Sequence, residues 1–242
     1  MVCTREDDLK KIEGFAVDID GTITENGNGL IHLPAASKLR FLSKSGYKVI
    51  FVTGRSSVEA YILSVFCGTT RIAVGENGGA IATGPDEFTI LADKELCMEG
   101  YTYLKERIQS VQIKPVFHRL SEVVLARTFD LDLGKLLLKE SGLSLHLTDS
   151  NYAYHINQLG TDKASGLKRA LKMLDLDPKE IAAIGDSETD MSLFNLCGLG
   201  IALGHSPLSV KKSATHVVEG RSGKGLSDAI DYISLNYLRK GI

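Results

Sequence analysis

The chain has 242 residues, with 28 basic and 30 acidic side chains, a formal charge of −2, 43% hydrophobic residues and 24% charged ones. That length and apolar fraction suit a globular protein that buries a full core, either as one domain or as a core with a smaller inserted module. The near balance of charge gives no basic face for nucleic acid or an anionic membrane, and no apolar run reaches the roughly 18 residues that a membrane-spanning helix needs.

The opening segment, Met1 to Asp8, is polar and lacks the apolar stretch of a secretion signal. Short apolar runs then read as strands buried on both faces: Phe15–Ile19, Val49–Thr53 and Arg71–Val74. Helices are expected between them. The first runs from Pro34 to Ser45 and stops at Gly46; the second runs from Ser56 to Phe66 and opens with the capping-box spacing of Ser56 and Glu59. From about 84 to 157 the rhythm changes. Met98, Tyr101, Leu104, Ile108 and Val111 recur at helical spacing, followed by a strand at Glu122–Arg127 and a helix at Leu133–Ser141. Two consecutive strands follow, Ser144–Thr148 and Ala153–Gln158. Strands without a helix between them point to a small antiparallel α+β module.

The first pattern then returns: helix Lys163–Leu174, strand Ile181–Ile184, helix Asp190–Leu196, strand Gly200–Leu203, a helix from Pro207, strand His216–Val218 and a last helix from Leu226. The expected fold is therefore α/β, a Rossmann-like, doubly wound parallel sheet formed by residues 1–83 and 158–242. Residues 84–157 form the inserted module. Cys3, Cys67, Cys97 and Cys197 are scattered, with no CxxC pair, and read as small buried hydrophobes or thiols in a reducing cytoplasm rather than as a disulfide framework.

Four segments carry chemistry. Asp18-Ile19-Asp20-Gly21-Thr22 follows the first strand directly, so two carboxylates sit where open α/β sheets bind ligands, and Gly21 permits a sharp exit. Asp-x-Asp-Gly also opens calcium loops, but no acids follow at the later loop positions and a strand precedes it rather than a helix. Thr53-Gly54-Arg55-Ser56 ends the second strand at a helix start, where a hydroxyl and backbone N–H groups can bind phosphate, although a plain capped turn has the same signature. Gly185-Asp186-Ser187-Glu188-Thr189-Asp190 sets two acids four residues apart at a strand tip, suited to Mg²⁺; Ser187 to Asp190 equally reads as a helix capping box. Lys163 opens a helix where the chain leaves the insert, and by itself would read as a surface lysine.

In this order, the four segments resemble the motifs of phosphatases of the haloacid dehalogenase (HAD) superfamily. Gly75-Glu76-Asn77-Gly78-Gly79 is similar to a turn of the branch that includes Cof-type sugar phosphatases. Within that branch the chain looks most like archaeal-type phosphoglycolate phosphatases, whose lysine likewise follows a Gly-x-Asp step. The resemblance implies a phosphoaspartate formed on Asp18 and a proton donor and acceptor at Asp20. It implies Thr53, Gly54 and Lys163 around the phosphate, and Mg²⁺ held by Asp18, the Asp20 carbonyl and Asp186, with Asp190 bound directly or through water. It also implies a small phosphorylated metabolite as substrate, 2-phosphoglycolate first among them, with a sugar phosphate as the alternative.

Between Thr53 and Lys163 lie the residues of the insert, as in the second cap type of the superfamily. Arg119 and Arg127 are its candidate anion readers by their fork geometry, against the alternative of solvated strand arginines. Gly198-Leu199-Gly200 imitates a dinucleotide fingerprint but runs into a strand, and the six histidines form no zinc-type pair. A phosphotransferase or mutase using the same phosphoaspartate stays open, as does a homodimer. A receiver-like binding module is disfavoured by Asp20, which a long-lived phosphoaspartate does not need.

Overall fold

The apolar runs and helical periods become strands and helices in the computed structural model, which describes residues 11–25, 29–150 and 152–238. The polar opening segment and Cys3 lie outside the described residues. In chain order the elements are β1 (Gly14–Val17), β2 (Thr24–Glu25), β3 (Leu30–Ile31), α1 (Leu33–Lys44), β4 (Lys48–Val52), α2 (Ser57–Cys67), β5 (Ala73–Gly75), β6 (Ala80–Ala82) and β7 (Phe88–Ile90). Then come α3 (Lys94–Arg107), β8 (Val123–Leu125), α4 (Leu131–Glu140), β9 (Leu145–Asp149), β10 (Tyr154–Gln158) and α5 (Lys163–Met173). The chain ends with β11 (Ile181–Gly185), α6 (Met191–Leu196), β12 (Leu199–Ala202), α7 (Leu208–Ser213), β13 (His216–Val217) and α8 (Ser222–Asn236).

The fold is α/β around an eight-stranded sheet ordered β13-β12-β11-β1-β4-β5-β6-β7. Its pairs β1–β11, β11–β12, β12–β13 and β4–β5 are parallel, whereas β5–β6 and β6–β7 are antiparallel. The expected change of rhythm at 84 thus precedes β7, a strand that still pairs with β6. No helix among the described residues is long and apolar enough to cross a membrane.

Two compact units divide the chain. One comprises Met1–Ile50, Val65–Thr70 and Leu171–Ile242. Phe15, Ala16 and Val17 on β1 and Ile181 to Ile184 on β11 have no exposed surface, which explains why both strands read as unbroken apolar runs. Helix α1 starts on His32, whose Nδ1 accepts from the Ala35 N–H at 3.2 Å, and it is followed by Gly46 at φ +98°. Helix α8 begins four residues before the expected Leu226. Its Ser-Gly-Lys-Gly opening has poor helix propensity, but Ser222, Gly223 and Gly225 are buried and packing overrides it.

The other unit comprises Phe51–Ser64 and Arg71–Ala170. It contains the antiparallel sheet β8-β10-β9 with α3 and α4. Cys97, Leu104, Val111, Leu125, Leu138 and Ile156 belong to a hydrophobic cluster of its own. Both helices have aspartate N-caps: Asp93 accepts from the Glu95 N–H at 2.9 Å and Asp130 from the Leu133 N–H at 2.7 Å. The Ser56–Glu59 capping box forms at α2, where the Ser56 N–H donates to Glu59 at 3.1 Å and the Glu59 N–H to Ser56 Oγ at 3.2 Å. Cys67, Cys97 and Cys197 are all buried free thiols, and burial pushes the last two up to about 12.

Candidate active site

Strand register brings the first and last acidic motifs together. Val17 on β1 is the partner of Ile184 on β11, and the Asp18 N–H continues the ladder to the Ile184 carbonyl at 3.0 Å. Asp18 therefore leaves β1 beside Gly185, and Asp186 follows at once. Asp18, Asp186 and Asp190 each present a carboxylate oxygen within 4.8 Å of the others. Asp18 is 3% exposed and Asp190 is 0% exposed. Like charges this close repel by roughly 3 kcal/mol or more per pair at an effective dielectric near 20. A cation offsets that cost. Three carboxylates with no histidine or cysteine among them form an oxygen-only donor set, which fits a hard divalent ion of the Mg²⁺ type.

Asp186 is held from both sides. Thr22 Oγ1 donates to its Oδ1 at 2.9 Å, and His205 Nε2 lies 3.1 Å from its Oδ2. His205 Nδ1 accepts from the Ser222 N–H at 3.4 Å, which leaves the ring proton on Nε2, facing the carboxylate. Gly21 sits at φ +79°, and a Cβ there would come 2.5 Å from Asp186 Oδ2, so its turn needs glycine for conformation and for space. Asp190 is also the capping residue that the Ser187–Asp190 spacing suggested. Its Oδ2 accepts from the N–H groups of Asp186 (3.1 Å) and Ser187 (3.0 Å) and from Ser187 Oγ (2.9 Å). The capping reading of that segment holds, and the same Asp190 is one of the three clustered acids. Asp20 lies beyond the end of β1 in a turn and is exposed, unlike buried Asp18.

The remaining candidates belong to the other unit. Thr53 follows β4 and is buried; its Oγ1 accepts from the Arg55 N–H at 3.1 Å, and a hydroxyl that accepts one bond can still donate its proton. The turn is locked to the Glu76–Gly79 turn, because the Asn77 N–H donates to the Thr53 carbonyl at 3.1 Å and the Glu76 N–H to the Arg55 carbonyl at 2.7 Å. Glu76 and Asn77 adopt positive φ, +55° and +52°. The start of α5 packs directly on this turn: a Cβ at Gly78, itself at φ +101°, would come 1.9 Å from the Asp162 carbonyl oxygen. Lys163 is the first residue of α5 and is 3% exposed. A cation at a helix N-terminus opposes the helix dipole, so helix stability does not explain its burial there.

The two candidate arginines differ. Arg127 is exposed and pairs with Asp149 at 2.9 Å. Arg119 is buried, and its Nη1 donates to the Gly54 carbonyl at 2.7 Å. Sequence reasoning assigned nothing to Thr22, His205 or the buried Glu122. Thr22 lies inside the first motif, a signal that was present. Those of His205 and Glu122 were absent, because Asp186 lies 19 residues from His205 and three of the partners of Glu122, Asn77, His155 and Asn157, lie 33 to 45 residues from it.

The model of the family described as haloacid dehalogenase-like hydrolase matches residues 15–140 and 133–230, and the chain belongs to that family. A phosphoglycolate phosphatase of Nitrosopumilus maritimus is 47% identical over 220 residues, spanning 91% of this chain and 95% of its own. One of Methanothrix thermoacetophila is 36% identical over 222 residues, 92% of this chain and 97% of its own. Among solved structures, protein 0175 of Thermoplasma acidophilum matches with a TM-score of 0.82 at 23% identity, covering 93% of this chain and 99% of that one. A HAD subclass IIB sugar phosphatase matches with a TM-score of 0.75 at 15% identity, covering 92% and 99%. These two likenesses establish the fold.

Proposed function

We propose that the chain is a Mg²⁺-dependent phosphomonoester hydrolase of the cytoplasm that converts 2-phosphoglycolate to glycolate and phosphate. The observation that carries this reading is the oxygen-only cluster of Asp18, Asp186 and Asp190 at the ends of two neighbouring parallel strands. The substrate is supported by two relatives named phosphoglycolate phosphatase that span nearly the whole chain.

In the proposed reaction a carboxylate oxygen of Asp18 attacks phosphorus, and the bond from phosphorus to the glycolate oxygen breaks. Asp20 gives that oxygen a proton. A water then attacks the phosphoaspartate, surrendering its proton to Asp20, and phosphate leaves with Asp18 restored. Exposure of Asp20 suits a group that must exchange a proton with water and with a departing product. Thr53, the Gly54 N–H and Lys163 would hold the phosphoryl oxygens. Asp18, Asp186, Asp190 and the Asp20 carbonyl would hold Mg²⁺, which when bound supplies positive charge to those oxygens. Residues 84–157, with the separate cluster around Leu104 and Ile156, would act as the cap that selects the substrate.

The test is inorganic phosphate release from a panel of phosphorylated metabolites with and without Mg²⁺. Release from 2-phosphoglycolate at the highest kcat/KM supports the reading. A sugar phosphate in that place would move the chain to the sugar phosphatases. Transfer of phosphate to a sugar hydroxyl without release would make it a phosphotransferase.

A further inference from the structure

The side chain of Glu122, in the second unit, is completely buried. Its Oε1 accepts from Arg119 Nη1 at 3.1 Å; its Oε2 accepts from Asn157 Nδ2 at 2.9 Å and Asn77 Nδ2 at 3.4 Å, and lies 3.0 Å from His155 Nδ1. Burial alone would push this carboxyl up, but His155 and Arg119 outweigh it and hold the group below the usual carboxylate range. The carboxylate that anchors Arg119 is therefore itself fixed by three further side chains.

Two features separate Arg119 from a purely structural ion pair. Its Nε is buried and has no hydrogen-bond partner. A buried donor left unsatisfied is destabilising, so the guanidinium is held in a placement that its own bonding does not favour. Its two hydrogen bonds also both leave from Nη1, to Glu122 and to the Gly54 carbonyl in the turn beside Thr53. Nη2 makes no hydrogen bond among the described residues and is not fully buried, and the side chain keeps 9% of its exposure, so this corner is within reach of a ligand. A pre-set guanidinium with an unused, reachable donor next to a phosphate-binding turn has the chemistry to bind a second anionic group of a phosphorylated substrate.

We propose that Arg119 is the specificity-determining residue of the enzyme, binding the substrate's carboxylate through Nη2 while Glu122 and Gly54 hold the guanidinium in place. This rests on the phosphatase reading above and assigns it a substrate class: short phosphate esters that carry a carboxylate. Arg127, paired with Asp149, has no such role.

The experiment compares 2-phosphoglycolate with hydroxyethyl phosphate, in which a hydroxymethyl group replaces the carboxylate. Arg119→Met should lower kcat/KM for 2-phosphoglycolate about 10²-fold more than for hydroxyethyl phosphate, the value of one charge-assisted hydrogen bond, while loss of the ties to Gly54 and Glu122 lowers both esters alike. Arg119→Lys keeps the charge beside Glu122 and should fall between wild type and Arg119→Met in that difference. Both esters are read on the same variant, so a folding defect lowers them together. An equal loss on both esters, or no loss on either, overturns the proposal. If the wild type prefers another carboxylated ester, such as 3-phosphoglycerate, the phosphoglycolate reading fails while the Arg119 comparison is read on that ester. A wild type that prefers esters without a carboxylate overturns the Arg119 proposal itself.

Discussion

Thr22 Oγ1 donates to Asp186 Oδ1 at 2.9 Å, joining the first and last acidic motifs across 164 residues of chain. With His205 on Oδ2, each oxygen of Asp186 has one donor. The carboxylate is thereby aimed before any cation arrives.

That arrangement sets an order of effects on Mg²⁺ affinity, measured by calorimetry without substrate. Asp186→Asn removes one of three anionic ligands and should weaken binding most. Thr22→Val keeps the ligand and removes only its orienting bond, so about a 10- to 100-fold loss is expected. Mg²⁺ affinity of Thr22→Val equal to wild type would show that the bond does not aim Asp186.

Asp190 has a second duty, and its loss should be visible without metal. Asp190→Ala and Asp190→Asn both relieve the repulsion within the acidic cluster, so the capping role is read from their difference in urea denaturation with EDTA present. Asp190→Ala leaves the N–H groups of Asp186 and Ser187 without their acceptor and should be less stable than Asp190→Asn, whose amide oxygen can accept the same bonds, by about 1–3 kcal/mol; both should weaken Mg²⁺ binding. Equal stability of Asp190→Ala and Asp190→Asn in EDTA would remove the capping role.

What could be read from the sequence was local. A strand, a turn and its carboxylates fall within a few residues around Asp18 and again around Asp186, so period-2 burial and turn chemistry reveal each in isolation. Their meeting follows from parallel pairing of β1 with β11, which alternation of strand and helix implies. Glu122 was illegible for the opposite reason. Its partners Asn77, His155 and Asn157 lie 33 to 45 residues away, and it reads as an ordinary polar strand residue. Burial separates Arg119 from Arg127, which carry the same signal in sequence. Strands β6 and β7 have three residues each, too few to show a period.

The buried glutamates Glu76 and Glu122 should give stability opposite dependences on pH. Glu76 is raised, by burial first and by Glu122 next, and its Oε1 has no partner. A raised carboxyl binds its proton more tightly when folded, so its contribution is complete below the unfolded pKa of about 4.3 and fades as pH rises through the folded value. Glu76→Gln should therefore gain stability relative to wild type from pH 4 to 7. Glu122 is lowered, so its contribution is present above about 4.3 and disappears as pH falls through the folded value. Glu122→Gln should cost about 3–5 kcal/mol at pH 7, a penalty that shrinks only in acid. Urea denaturation of both variants from about pH 2 to 7 reads the two slopes, that of Glu76 above about 4.3 and that of Glu122 below it, and slopes of the same sign would contradict the assignment.

Asp18 and Asp20 differ in burial as they should differ in role. Asn at 18 keeps the shape but is a poor nucleophile and a weaker metal ligand, so hydrolysis of every ester should be lost. Asn at 20 keeps the backbone carbonyl and removes only the proton donor. The alkoxide of glycolate needs that proton, and general acid help of this kind contributes about 10²–10⁴-fold. p-Nitrophenolate hardly needs it. Rapid-quench kinetics of Asp20→Asn on p-nitrophenyl phosphate should therefore show a burst of p-nitrophenol followed by slow turnover, because attack of water on the phosphoaspartate still needs a base. With Asp18→Asn the burst should vanish. If both variants lose the first step equally for both leaving groups, Asp20 is not the proton donor.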